Sequence, residues 1–282
     1  MCKICRMHAE GHGKWYLNPK GYSEELFYKL SLLDRILGRK SKKVRVALKD
    51  NDSSWFPLGI SKLMDQVDLV SKPLIGRLVR MIGNRVALRS HSGQVVPLED
   101  AFKIVDLSYD HVVYPCMCKR LFKGHDEYKC LNFAPLTEEN RKSPRAWKEK
   151  HLSPEEAKAK LEEFSEKGYV HAVFWWYGMP QAVCICNCDN KYCFAARPRL
   201  WYDVENTYRR AEYVAKVNGD ECISCGNCIE RCQFGAISLG KDDRAIIEPT
   251  ICFGCGQCRV VCEQNAIKLL DRNTHLVAQK IW

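Results

Sequence analysis

Residues 221–237 read ECISCGNCIERCQFGAI, and residues 251–267 read ICFGCGQCRVVCEQNAI. Each stretch spaces its cysteines as C-x2-C-x2-C-x3-C: Cys222, Cys225, Cys228 and Cys232, then Cys252, Cys255, Cys258 and Cys262. The second copy follows at a fixed offset of 30 residues that holds beyond the cysteines, matching Gly226 with Gly256, Ala236 with Ala266 and Ile237 with Ile267. A repeat of this kind is one supersecondary unit used twice.

The spacing has a chemical reason. Three thiolates two residues apart line a tight loop and hold three corners of an iron–sulfur cube, while the fourth is carried away by the turn that follows and completes the cluster of the other half. One [4Fe-4S] cluster is therefore expected on Cys222, Cys225, Cys228 and Cys262, and a second on Cys252, Cys255, Cys258 and Cys232. Gly226 and Gly256 suit a loop whose backbone comes close to the inorganic core. A pair of zinc knuckles is the competing reading, but zinc has no use for a third and fourth cysteine at these steps. Phe234 and Phe253 are placed to shield the clusters or to pack a core.

From about Tyr213 to Leu270 the sequence resembles the bacterial two-cluster ferredoxins. The resemblance implies a compact fold of paired short strands and short helices around two [4Fe-4S] clusters. The chain departs from that family where proline usually follows the fourth cysteine: Gln233 and Glu263 stand there instead. Proline lacks a backbone N–H, so each departure restores a donor near a cluster, and hydrogen bonds to cluster sulfur raise the reduction potential.

The 282 residues allow about two domains. Hydrophobic content of 46% and charged content of 28% describe an ordinary globular chain. The opening MCKICRMHAEGHGKWY has no apolar signal core, and the longest apolar run, AVFWWYGMPQAVCIC, is broken by Gly178 and Pro180, so neither export nor a membrane span is expected. In a reducing, cytoplasmic compartment, 17 cysteines point to metal rather than to disulfides. The formal charge is +10. A four-iron cube held by four thiolates contributes about −2, so two or three cubes leave about +6 or +4. That excess suits a redox protein or oxidoreductase complex with an acidic docking face. Nucleic-acid binding is the competing use, and the scattered Lys and Arg residues argue against it.

Upstream, Cys2, Cys5, His8 and His12 are spaced C-x2-C-x2-H-x3-H, a candidate zinc or iron site. A helix is expected after Ser23 on the stripe Leu26, Leu30, Leu33 and Leu37, then helices over Met64–Leu69, Leu74–Leu88 and Leu98–Leu107. Ser153, Pro154 and Glu156 spell a capped helix start, with Ala157, Leu161 and Phe164 on its buried face. YVHAVFWWY reads as a buried strand.

Seven more cysteines fall in two groups, Cys116, Cys118 and Cys130, then Cys184, Cys186, Cys188 and Cys193, each group following a short β-like run. Two such strand ends side by side would bring the C-x-C pairs face to face from bent backbone. A third iron–sulfur cluster is expected on Cys116, Cys118, Cys186 and Cys188, with Cys130 and Cys193 as the next candidates, and zinc as the competing metal. His125 and His171 are further candidate ligands. The combination of PCMCK, SPEEAKAKLEEFSEKGYVHAV and CICNCDNKYC resembles the upstream half of a family of larger ferredoxin-domain proteins from anaerobes, which implies a redox metalloprotein and no particular reaction.

The expected architecture is α+β: an N-terminal segment of residues 1–42 with the Cys/His motif and one helix, a central α/β region over 43–211, and a ferredoxin domain with tail over 212–282, the upstream part being mostly helical. The leading function is an electron carrier or the electron-entry subunit of a larger complex. The alternative is a redox enzyme whose upstream metal site is catalytic, with His125, Asp126, Glu127 and Asp189 as polar groups.

Overall fold

The computed structural model describes residues 14–22, 73–90, 93–124, 126–134, 136–141, 149–175 and 182–282. Cys2, Cys5, His8, His12 and His125, and the helices expected after Ser23 and over Met64–Leu69, lie outside the described residues.

Helix α1 (Pro73–Ser90) opens on a proline, whose fixed φ suits a first turn. Strand β1 (Gly93–Val95) leads to α2 (Leu98–Leu107), where Glu99 and Asp100 meet the positive end of the helix. Strand β2 (His111–Pro115) runs into α3 (Met117–Lys123), which Gly124 closes at φ 74°. Then come β3 (Tyr128–Asn132), α4 (Leu136–Arg141) and β4 (Lys150–Leu152). Helix α5 (Pro154–Glu166) carries the expected capping box: Ser153 Oγ accepts from the Glu156 N–H at 3.2 Å, and Glu156 Oε2 accepts from the Ser153 N–H at 2.8 Å. Strands β5 (Val170–Trp175) and β6 (Ala182–Cys188), helix α6 (Ala196–Tyr202) and strand β7 (Tyr208–Arg209) complete the upstream part.

These strands form a seven-stranded sheet in the order β4-β2-β3-β6-β5-β1-β7, antiparallel except for the β1–β7 pair. The mostly helical upstream part expected from the sequence is not what the described residues 93–209 form; they are mixed, and the sheet is their centre. Short strands such as β3 and β4 carry little local signal, and their pairing is settled by distant partners. One face of the sheet buries Ile104, Leu131, Phe133, Leu161, Val173 and Ile185 under α2 and α5. The other buries Val95, Phe174, Cys184, Cys188 and Tyr208 together with Phe253 from the C-terminal repeat.

The C-terminal repeat is interleaved. Copy one runs β8 (Tyr213–Val217), α7 (Asn227–Arg231), β9 (Ile237–Leu239); copy two runs β10 (Ala245–Ile247), α8 (Gln257–Val260), β11 (Ile267–Asp271). Strand β8 pairs with β11, and β9 with β10, so each two-stranded sheet takes one strand from each copy. Ala236, Ile237, Ala266 and Ile267, matched by the offset in sequence, are all buried between the copies.

Polar contacts lock the repeat to the upstream sheet. Arg231 donates to the terminal carbonyls of α5, Ser165 at 2.5 Å and Glu166 at 2.6 Å, where the helix dipole favours a cation. Arg259 donates from Nη2 to both carboxylate oxygens of Glu99, at 2.8 and 2.9 Å.

Candidate metal centres

The interleaving sorts the eight C-terminal cysteines into two sets. A cavity of about 60 Å³ is lined by Cys222, Cys225 and Cys228 of copy one and Cys262 of copy two. A second, of about 20 Å³, is lined by Cys252, Cys255 and Cys258 of copy two and Cys232 of copy one. The cause is local: the strand exchange carries the end of each short helix across to the loop of the other copy. Gly226 and Gly256 start those helices at φ 78° and 79°, in the left-handed region that favours glycine.

Four soft thiols around each cavity, all free of disulfides, are the donor set an iron–sulfur cluster takes. Backbone donors are already turned toward sulfur: Ala236 N–H toward Cys232 Sγ at 3.3 Å, and Ala215 and Gly254 N–H toward Cys252 Sγ at 3.5 and 3.4 Å. Such bonds favour the anionic form of the sulfur. The two cavities differ in depth. Cys225 is exposed, whereas Cys252 and Cys258 are buried, and burial pushes the Cys258 thiol up to about 12. Phe234 and Phe253 line the second cavity and stack on each other at 4.0 Å, so they both pack the core and cover that site.

Two further residues support the second cavity. Arg272, fully buried, spreads its guanidinium over five backbone carbonyls, those of Ala211, Tyr213, Cys252, Ala278 and Ile281, at 2.7 to 3.4 Å. Burial lowers it to about 10. Gln233 also has a role the sequence did not suggest: its side chain accepts from the Asn190 N–H at 2.9 Å and donates to the carbonyls of Gly168 and Cys188, pinning the repeat to the upstream part. Glu263 is exposed at the rim of the first cavity.

The seven upstream cysteines gather on the sheet face that meets the repeat. Cys184, Cys186 and Cys188 alternate along β6 with Val183, Ile185 and Asn187. Residues two apart on a strand share a face, so the regular strand turns all three thiols the same way and the bent backbone expected for C-x-C is not needed. Strands β2 and β6 are not neighbours either. Strand β3 lies between them and brings Cys130 directly opposite Cys186.

The thiols divide into two groups. Cys130 Sγ lies 3.5 Å from Cys186 Sγ, which lies 3.8 Å from Cys184 Sγ. Cys118 touches Cys116 and Cys193, and Cys193 touches Cys188. Within each group one thiol is held well below its ordinary range by its neighbours: Cys130 by Cys184 and then Cys186, and Cys193 by Cys118 and then Cys188. Cys186 is thus in contact with Cys130 and Cys184, the latter left out by sequence reasoning, while Cys193 contacts Cys118 and Cys188; the two groups adjoin, Cys130 being near both Cys116 and Cys193. The period-two alternation of CICNC was the available signal. His171 sits opposite Asn187 on the other face of the sheet, where Nδ1 bonds Asn187 Oδ1 at 2.6 Å and burial lowers it to about 4. It faces away from the thiols.

Tyr208 joins the two regions. Its ring is 6.1 Å from Phe253, and burial, then the nearby Cys188 and Cys193 thiols, push its phenol well up, with Cys255 also close. Among the described residues no helix is long and apolar enough to cross a membrane.

Residues 221–267 match the family described as 4Fe-4S dicluster domain. Over 53 residues the chain is 42% identical to a tetrathionate reductase subunit of Archaeoglobus fulgidus, a stretch covering 18% of this chain and 23% of that protein. Over 35 residues it is 49% identical to a probable ferredoxin of Methanosarcina thermophila, covering 12% of this chain and 60% of that one. The chain thus spans less than two thirds of either relative. No solved structure matches it. The interleaved repeat with its two thiol-lined cavities, residues 221–267, is a 4Fe-4S dicluster domain of the iron–sulfur electron-transfer kind.

Proposed function

We propose that the protein passes single electrons through two [4Fe-4S] clusters, held by Cys222, Cys225, Cys228 and Cys262, and by Cys252, Cys255, Cys258 and Cys232. The observation that carries this reading is that each cavity is lined by three thiols of one copy and the fourth of the other. When bound, such clusters accept and release one electron at a time. The protein's part is to hold the thiolates, exclude water and set the field with N–H donors and nearby arginines.

A third cluster belongs to the same reading, on Cys116, Cys118, Cys188 and Cys193, the upstream group that Tyr208 and Phe253 connect to the second cavity. The electron route then runs from the exposed first cluster through the buried second to the upstream site. Its external partner is a redox protein or an oxidoreductase complex, the role that a tetrathionate reductase component among the relatives suggests.

Iron and sulfide analysis of anaerobically purified protein, with EPR after reduction, tests this. The expected result is about twelve irons per chain, falling to about eight in Cys118→Ser. About eight in the unaltered protein removes the third cluster, and the absence of iron removes the whole reading.

A further inference from the structure

Cys130, Cys184 and Cys186 form a closed triangle, whereas Cys116, Cys118, Cys193 and Cys188 touch one another only in a chain. Among the described residues they are the thiols that all lie within 4.8 Å of one another. Their closest separations, 3.5 and 3.8 Å, have a simple chemical meaning. Thiolates sharing one tetrahedral ion at a metal–sulfur distance of about 2.3 Å stand about 3.8 Å apart. Thiolates on the corners of a cube bind separate irons and must stand further apart. The two C-terminal quartets contain no trio drawn this close, as expected of cube ligands.

The backbone explains the triangle. Cys184 and Cys186 project from one face of β6, and Cys130 meets Cys186 across the β3–β6 pair, so two rigid strands hold all three sulfurs. Asn132, two residues along β3 and nearly buried, places Oδ1 3.2 Å from Cys130 Sγ, supplying an oxygen on the same side. Cys184 is 8% exposed, which leaves the site protected but not sealed by its own strand.

We propose that Cys130, Cys184 and Cys186 form a mononuclear site for a thiophilic divalent cation of the zinc class, separate from the iron–sulfur clusters. Three thiolates and one oxygen, from Asn132 or a water, complete a tetrahedral set. Binding releases the thiol protons to solvent and ties β3 to β6, so the ion staples the centre of the sheet on the face where the dicluster repeat docks.

The test uses the whole protein, purified without oxygen from zinc-supplemented medium. X-ray absorption at the zinc edge of the unaltered protein is expected to show three sulfur neighbours at about 2.3 Å, one lighter neighbour and no iron neighbour. Chelator competition is expected to show at least tenfold weaker zinc binding in Cys184→Ser, with its iron and sulfide content unchanged. The proposal is overturned if the edge shows no ion with three sulfurs, if zinc affinity is the same in Cys184→Ser, or if that variant instead loses a cluster's worth of iron. The last outcome would place Cys184 in an iron–sulfur cluster. The wild-type spectrum needs no variant to fold. Loss of the third cluster in the iron count would leave this result standing.

Discussion

Gln233 shows how a single side chain couples the two halves, and His171 how burial ties one side chain of the upstream sheet to pH. Gln233 bonds three backbone groups of the upstream part, so Gln233→Ala is expected to destabilise the protein by about 1–3 kcal/mol, read as a lowered denaturation midpoint. Gln233→Pro loses the same clamp and also the backbone N–H. A cluster potential that drops in the proline variant but not in the alanine one, by voltammetry, would isolate the N–H contribution; equal potentials would assign the effect to the clamp. His171 is buried neutral, at about 4 against an ordinary 6.5. Between these values the unfolded chain binds the proton and the fold does not, so this group's stabilisation is present above about 6.5 and is lost as pH falls toward 4, up to about 3 kcal/mol over that window. Denaturation measured from pH 7.5 downward should therefore show a shallower acid slope in His171→Gln; identical slopes would mean that His171 does not titrate on unfolding.

At the scale of elements, the repeat extends into the backbone. Ser224 and Gly254, and likewise Gly235 and Asn265, share positive φ at the 30-residue offset. The copies differ in what surrounds them. A Cβ on Gly254 would stand 2.0 Å from the Tyr213 carbonyl of β8, whereas Ser224 already carries one in solvent. Gly254→Ala must displace β8, and the expected outcome is loss of about four irons with the second cavity, while Ser224→Ala keeps its full iron content. Retention of all iron by Gly254→Ala would show that the strand yields. Much of this level was legible in the chain. The cysteine spacing, the repeat and the Ser153 capping box are local patterns, and each matches an element or a cavity. The seven-stranded sheet was not legible, because β3 and β4 are short and their partners distant. The upstream thiol grouping depended on that sheet: Cys130 meets Cys186 only once β3 is known to lie between β2 and β6.

For the whole molecule, charge and depth give direction. The formal charge is +10, yet Glu263 lies exposed on the rim of the first cavity, and the exposed Asp220 and Glu221 directly precede its Cys222, with Asp220 3.6 Å from Arg244. Arginines crowd the buried second site: Arg199 and Arg210 stand 5.0 and 4.7 Å from the Phe253 ring, and Arg272 holds the Cys252 carbonyl. On the proposed reading, a reduced second cluster is better stabilised beside these arginines than one at the exposed first site. Electron exchange with a basic protein such as cytochrome c is therefore expected to slow as salt rises; a rate that rises with salt would place the docking face elsewhere, on the basic surface that the overall charge suggested.

The central claim is that the copies exchange their fourth ligands. An anaerobic crystal structure with anomalous data at the iron edge addresses it directly. The account predicts one four-iron cluster bonded to Cys222, Cys225, Cys228 and Cys262, and another to Cys252, Cys255, Cys258 and Cys232. Cys232 found on the first cluster and Cys262 on the second, or no iron signal in either cavity, would contradict it.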